Sequence, residues 1–225
     1  MSSVPLLPVP VFPLPNVVLF PFGVLPLHVF EVRYRTMVRD VLSSHRRIAM
    51  ALLEPGWDRD YRGTPPFHPL GCVARIERVE WLVNDCYDLV VVGEARARLD
   101  RVVKTYPYRT VRPEPAPQLP FTHDDPLVQI ERRALLEVLS LRGVSLSSLH
   151  GCLVTESEPP ELEALVNRVA MSLEMPPVEK LALLAMDDIV QRANRVRQLL
   201  AGARQPEPLP PAAEGPPGPE GGGRN

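Results

Sequence analysis

Prolines set the limits on this chain's first forty residues. Between Val11 and Leu42 the sequence reads VFPLPNVVLFPFGVLPLHVFEVRYRTMVRDVL, with Pro13, Pro15, Pro21 and Pro26 cutting the apolar runs. Proline fixes φ and has no backbone N–H, so an apolar run bounded by prolines cannot belong to a long helix. Short strands over Val9–Phe12, Val17–Leu19 and Leu25–Val29 are therefore expected. A helix from Phe30 to Leu42 follows. Phe30, Tyr34, Met37, Val38, Val41 and Leu42 share one face by helical spacing, while Arg33, Arg35, Arg39 and Asp40 lie mostly on the other.

Up to about residue 112 the rest of the chain reads mainly as strand. Ile48–Leu53 is an unbroken apolar run, as in a buried strand. Residues 54–70 form a long Pro/Gly-rich loop carrying Trp57, Tyr61 and Phe67. Loops of that length in a compact domain tend to have a function or to be disordered, and three aromatics argue against disorder. Cys72–Val83 and Tyr87–Val92 read as a hairpin turning at Asn84-Asp85, two residues that tolerate left-handed backbone. Gly93 is expected to end that pair, Ala95–Val103 to form a further strand and Tyr108–Val111 a last one. Arg96, Arg98, Arg101, Lys104, Arg109 and Arg112 read as a basic, solvated edge.

The proline-rich residues 113–126 mark a boundary, and helices follow. Asp125-Pro126 is an N-cap with proline at the first helical position. The stripe on that helix is read as Leu127, Ile130, Ala134, Val138 and Leu141, with Gly143 as the stop. A second helix opens near Ser157 and carries Leu162, Leu165, Val166, Val169, Ala170 and Leu173. A last one runs from about Pro177 to Leu200. The expected organisation is an arm at 1–8, a β-rich unit at 9–115, a linker at 116–125, a helical bundle at 126–202 and a disordered Pro/Gly-rich tail at 203–225. The fold class is α+β.

Composition narrows the function. A net charge of −2 over 225 residues gives no bulk attraction to nucleic acid or anionic membrane. The 23 arginines against two lysines, Lys104 and Lys180, read as codon bias rather than function. Cys72, Cys86 and Cys152 form no C-x-x-C pair, which argues against a zinc knuckle or disulfide framework and fits a cytoplasmic protein with free thiols. No apolar run has membrane-spanning length. No phosphate-binding G-x-x-x-x-G-K-[ST] loop occurs. His28 and Glu31 lie where strand gives way to helix and would not share a face as metal ligands. His150 and Cys152, two apart in a turn of helix, point in different directions. No catalytic, metal or cofactor site is expected.

In order and spacing, four segments together resemble the substrate-binding N-terminal domain family of Lon proteases. They are PLPNVVLFP at 13–21 with LPLHVFEVRYRTMVRD at 25–40, GCVARIERV at 71–79, YDLVVVGEARARL at 87–99, and VEKLALLAMDDIVQRANRVRQLL at 178–200. Asp85 stands where the family often has glycine, and Ala97 where it usually has phenylalanine. The resemblance implies a β pseudo-barrel of about six strands followed by a helical bundle, and recognition of polypeptide rather than chemistry. The expected activity is a non-enzymatic module that binds unfolded or specific polypeptides through apolar surface. The alternative is an adaptor for one folded partner, such as an AAA+ protease. Candidate binding residues are Phe20, Phe22, Trp57, Tyr61 and Phe67, in a groove between the 54–70 loop, the Phe20–Phe22 turn and the bundle. Oligomeric state is left open.

Overall fold

A computed structural model describes residues 7–60, 63–146, 149 and 160–202. Eight strands form one sheet: β1 (Val9–Leu14), β2 (Val24–Val29), β3 (Arg47–Leu53), β4 (Phe67–Trp81), β5 (Tyr87–Arg98), β6 (Val102–Lys104), β7 (Thr110–Val111) and β8 (Glu114–Pro115). Five α-helices accompany them among the described residues: α1 (Val32–Leu42), α2 (Pro126–Leu141), α3 (Leu162–Ser172), α4 (Pro177–Ala185) and α5 (Ile189–Gly202). The sheet order is β2-β5-β4-β3-β1-β7-β6, and β8 adds to the end of β5 beyond β2. The α+β class is the one the sequence predicts. One face of the sheet shares a core with α1 and the helical bundle, including Phe20, Met37, Ile76, Leu89, Leu165 and Val196. The other face holds a smaller cluster around Val9, Val11, Val73, Ala97, Leu99 and Val111.

Near the N-terminus the prolines act differently from expectation. β1 runs through Pro10 and Pro13. It pairs with β3 in parallel and, over Val9 and Pro10, with β7. Val17–Leu19 is not a strand, yet Val18, Leu19 and Phe20 are buried. The segment is held by core burial and by its ends rather than by a ladder. α1 begins at Val32, with Glu31 as N-cap residue. Phe30 therefore lies outside the helix, 61% exposed, stacked at 6.0 Å on His28. Tyr34, Met37, Val38 and Val41 are buried as their spacing predicts, and Tyr34 meets the edge of Phe12 at 4.5 Å.

Gly93 does not end a strand. β5 continues through it, and the register with β4 shifts there: Ala74 pairs with Gly93 but Val73 pairs with Ala95. Glu94 is the extra residue of a β-bulge. The slip swaps the faces of everything beyond it. Before it Leu89 and Val91 enter the main core; after it Ala97 and Leu99 enter the second cluster. Glycine is required because the chain passes very close. Gly93 accepts from the Phe22 N–H at 2.8 Å and donates to the Gly23 carbonyl at 2.9 Å. A Cβ on Gly93 would collide with the Phe20 carbonyl. Both departures from the family pattern fit their surroundings. Asn84 and Asp85 turn the β4–β5 hairpin with φ of 69° and 65°, and Asp85 pairs with Arg35 and Arg39. Ala97 is fully buried in the second cluster, where Leu99 fills the space beside Gly71.

The helical half keeps the predicted start and stop of α2, changes the face that α2 buries, and divides the expected last helix. The Asp125 carboxylate accepts from the Leu127 N–H at 2.8 Å. Gly143, at φ 65°, ends α2 with paired bonds from Gly143 to Ser140 and from Val144 to Leu139. The buried row of α2, however, is Val128, Leu135 and Leu139. Leu127, Ile130 and Leu141 are exposed. The helix carries two apolar rows, and contact with α5 and α3 selects one of them. The single last helix is in fact two, broken at Met186–Asp188. Asp188 caps α5, accepting from the Val190 N–H at 2.8 Å and the Gln191 N–H at 3.2 Å. Ser157, His150, Cys152 and the tail lie outside the described residues.

Candidate functional site

Arg96 is the hinge-pin of the junction between sheet and helices. Because the Glu94 bulge reverses the faces of β5, Arg96 points toward the bundle, and only 5% of it is exposed. Its guanidinium donates to the carbonyls of Leu184 at 2.8 Å, Met186 at 2.9 Å and Pro117 at 2.7 Å, and to the Gln118 side chain at 3.1 Å. Arg192, fully buried on α5, donates to Asn167 at 3.1 Å and also to the Met186 carbonyl. Burial is the main force pulling both arginines below their ordinary pKa. Arg192 reaches about 10, lowered further by Arg96, with Glu163 and Asp187 acting in opposition. Both remain cations at neutral pH. The carbonyls freed by the α4–α5 break are thus satisfied by two buried cations. Arg96 was expected on a solvated edge, and that expectation is corrected: the bundle covers it.

Beside this junction lies a groove of about 470 Å³. Pro21 and Phe22 form one wall. Residues Glu94–Arg96 of β5 form the floor. Pro115, Ala116 and Gln118–Phe121 of the connecting segment form the other wall, with His123 and Glu163 at the rim. The size suits a few side chains of a ligand. Phe22 is held at φ 65° by its N–H bond to Gly93. The connecting wall is also held, since the Leu119 N–H donates to the Asp187 carbonyl at 3.0 Å. Glu94 is neutralised by Arg47 at 2.6 Å and Arg75 at 3.4 Å. At the rim, Glu163 accepts from Gln118 at 3.3 Å, and His123 lies 3.2 Å from Glu161.

The four candidate residues that are described do not come together here. Phe22 lines the groove. Phe20 is fully buried in the main core, so its ring is architecture and offers a ligand no surface. Phe67 packs against the second cluster with the Arg109 guanidinium 4.4 Å over its ring. Trp57 begins a short 3₁₀ turn and is half-buried. Tyr61 lies outside the described residues. β4 begins at Phe67, so the loop read over 54–70 ends at 66, and its described residues contribute none of the lining; Leu119, Pro120 and Phe121 take that place. Sequence reading passed over these three because a proline-rich segment reads as a linker. The apolar Leu119 and Phe121 among the prolines were the available signal.

The described residues include no cluster of three or more His, Cys, Asp or Glu able to hold a metal. His28 bonds to Asp88 at 2.7 Å, and Glu31 pairs with Arg33 at 3.0 Å, so the two do not converge. No helix among the described residues is long and apolar enough to cross a membrane.

The chain is thus an α+β fold with a groove beside the junction of sheet and helices. Comparison with known proteins names the family. The family model of the ATP-dependent protease La (LON) substrate-binding domain matches residues 8–202, and the chain belongs to that family. It is 27% identical over 202 residues to Lon protease 2 of Myxococcus xanthus, covering 87% of this chain and 24% of that protein. It is 30% identical over 161 residues to Lon protease 2 of Sorangium cellulosum, covering 70% and 20%. The chain thus spans about a fifth to a quarter of the length of these relatives. Two solved structures share the fold. The N-terminal domain of the Mycobacterium avium complex Lon protease superposes with a TM-score of 0.61 at 18% identity, covering 87% of this chain and 98% of that one. A Lon N-terminal domain protein from Xanthomonas campestris gives 0.58 at 24% identity, covering 88% and 99%.

Proposed function

We propose that this chain is a recognition module that takes extended, apolar stretches of polypeptide into the groove between Phe22 and Leu119–Phe121. Membership of a substrate-binding domain family supports the class of ligand. The observation that carries the site is the groove itself, with apolar walls on both sides of a strand floor. An extended segment would place one or two apolar side chains between Pro21–Phe22 and Leu119–Phe121. The acidic rim at Glu161 and Glu163 would favour segments with a basic residue beside the apolar one. The module carries out no chemistry in this reading; it selects.

The test is binding of a reduced, carboxymethylated and therefore permanently unfolded model protein. Leu119→Glu puts a charge in the wall while leaving the backbone bond to Asp187, and should weaken binding about tenfold or more. A Trp57→Ala/Phe67→Ala variant should bind like the wild type. The reverse pattern would move the site to Trp57 and Phe67.

A further inference from the structure

The apolar row that sequence spacing assigns to the core side of α2 is left on the surface. Val128, Leu135 and Leu139 are buried instead, and Leu127, Ile130 and Leu141 are 61%, 52% and 77% exposed. Ala134 and Val138, between them, are partly exposed. On a helix of 16 residues these five share one face. Their spacing is 3, 4, 4 and 3 residues, the same read from either end, with the smallest side chain at the centre. Such a row is self-complementary under a two-fold axis through Ala134. Leu127 then meets Leu141, Ile130 meets Val138, and Ala134 meets its own copy. A small residue at the crossing lets two helix axes approach closely.

The charges beside the row fit the same axis. Arg133 and Glu137 flank one side of it by helical spacing. Both are exposed, and neither forms an ion pair among the described residues; the Arg133 Nε donates to the Gln129 carbonyl at 3.3 Å. On the other flank Glu131 is already taken by Arg197 of α5 at 3.3 Å. An axis through Ala134 brings Arg133 of one copy about 3 Å along the helix from Glu137 of the other, at a rise of about 1.5 Å per residue. We propose that the exposed row of α2 is a docking face for a second copy of this chain, which lies antiparallel on it as a symmetric dimer. The four flanking charges, two from each copy, then form one neutral cluster. An unrelated amphipathic helix would need neither the symmetric spacing nor this charge arrangement. One pair of helices of this length covers less than the ~1,200 Å² of a stable complex, so the dimer should exchange with monomer in the micromolar range. No residue of α2 lines the groove, so the two surfaces can be tested apart.

The test is analytical ultracentrifugation of the whole chain from about 1 to 200 μM. A concentration-dependent dimer is expected. Ile130→Glu should leave a monomer, and circular dichroism checks that this exposed position tolerates the change. Arg133→Glu gathers four carboxylates and should weaken the dimer about tenfold or more. The exchange Arg133→Glu/Glu137→Arg should restore it. Orientation is read by disulfide cross-linking in a Cys86→Ser/Cys152→Ser background, since Cys72 is fully buried. Ala134→Cys should link to its own copy. Leu127→Cys should link to Leu141→Cys in a mixture but not to itself, being about 21 Å along the helix from its own copy. Four results would overturn the proposal: a monomer at every concentration, a dimer indifferent to Ile130→Glu, an exchanged pair no better than Arg133→Glu alone, or Leu127→Cys linking to itself. A monomer whose binding of unfolded protein falls in Ile130→Glu would assign the row to polypeptide instead of the second copy.

Discussion

Arg96 and Arg98 stand two residues apart on the same face of one strand, yet they live in different media. Arg96 is covered by the α4–α5 break and holds four acceptors at the junction. Arg98 reaches past that cover, is exposed and pairs only with Asp100. The strand supplies the direction of both side chains; the bundle decides which is structural. The region around Arg96 is therefore a fixed joint with a groove beside it, while the region beyond Arg98, ending in β6, is exposed to solvent and cationic.

The sharpest way to break that contrast is to remove each arginine. Arg96→Ala should cost about 3–5 kcal/mol in chemical denaturation, because it leaves buried carbonyls without donors. Arg192→Ala should fall in the same range. Arg98→Ala should stay within about 0.5 kcal/mol, as for ordinary surface positions. Equal effects at 96 and 98 would mean that the buried guanidinium does not hold the joint.

The same test on α1 sets Tyr34 against Phe30. Tyr34→Ala should cost about 3 kcal/mol, the usual loss for a buried aromatic. Phe30→Ala should cost less than about 1 kcal/mol, since only a stack on His28 is lost. If thermal unfolding moved equally for both, α1 would begin a turn earlier than described. On α2, Asp125→Ala should cost about 1 kcal/mol as a lost N-cap.

A further effect concerns pH. Burial, then the bond to Asp40, push the Tyr108 phenol up to about 12. Its neutral form is favoured in the folded state, while the unfolded chain ionises at the ordinary value of 10.0. The contribution is therefore complete below pH 10 and is lost as pH rises toward 12. Stability measured across that window should fall less steeply in Tyr108→Phe than in the wild type.

How much of this was legible beforehand differs by element. The apolar face of α1 from Tyr34 to Val41 was readable, because a helix face is written in its own spacing. So were the Asn84-Asp85 turn, the Asp125 cap and the Gly143 stop. The groove was half legible. Phe22 was a fair candidate, but Phe20 beside it went inward. Leu119 and Phe121 hid in a segment whose prolines signal a connection rather than a wall. The exposed Leu127, Ile130 and Leu141 show the same limit, since two apolar rows on α2 competed and packing chose.

What the sequence determined alone were features whose causes lie within a few residues: the apolar face of α1, the Asp125 cap, the Asn84-Asp85 turn, the Gly143 stop and the family signature. What only the tertiary structure decided was coverage. The Glu94 bulge reversed the faces of β5, and that turned Arg96 toward the helices. The α4–α5 break then offered it carbonyls, and the connecting segment closed over the remaining side. Each of these steps depends on residues distant in the chain arriving at one place. A side chain's direction can be read from its neighbours in sequence, but what lies opposite it cannot.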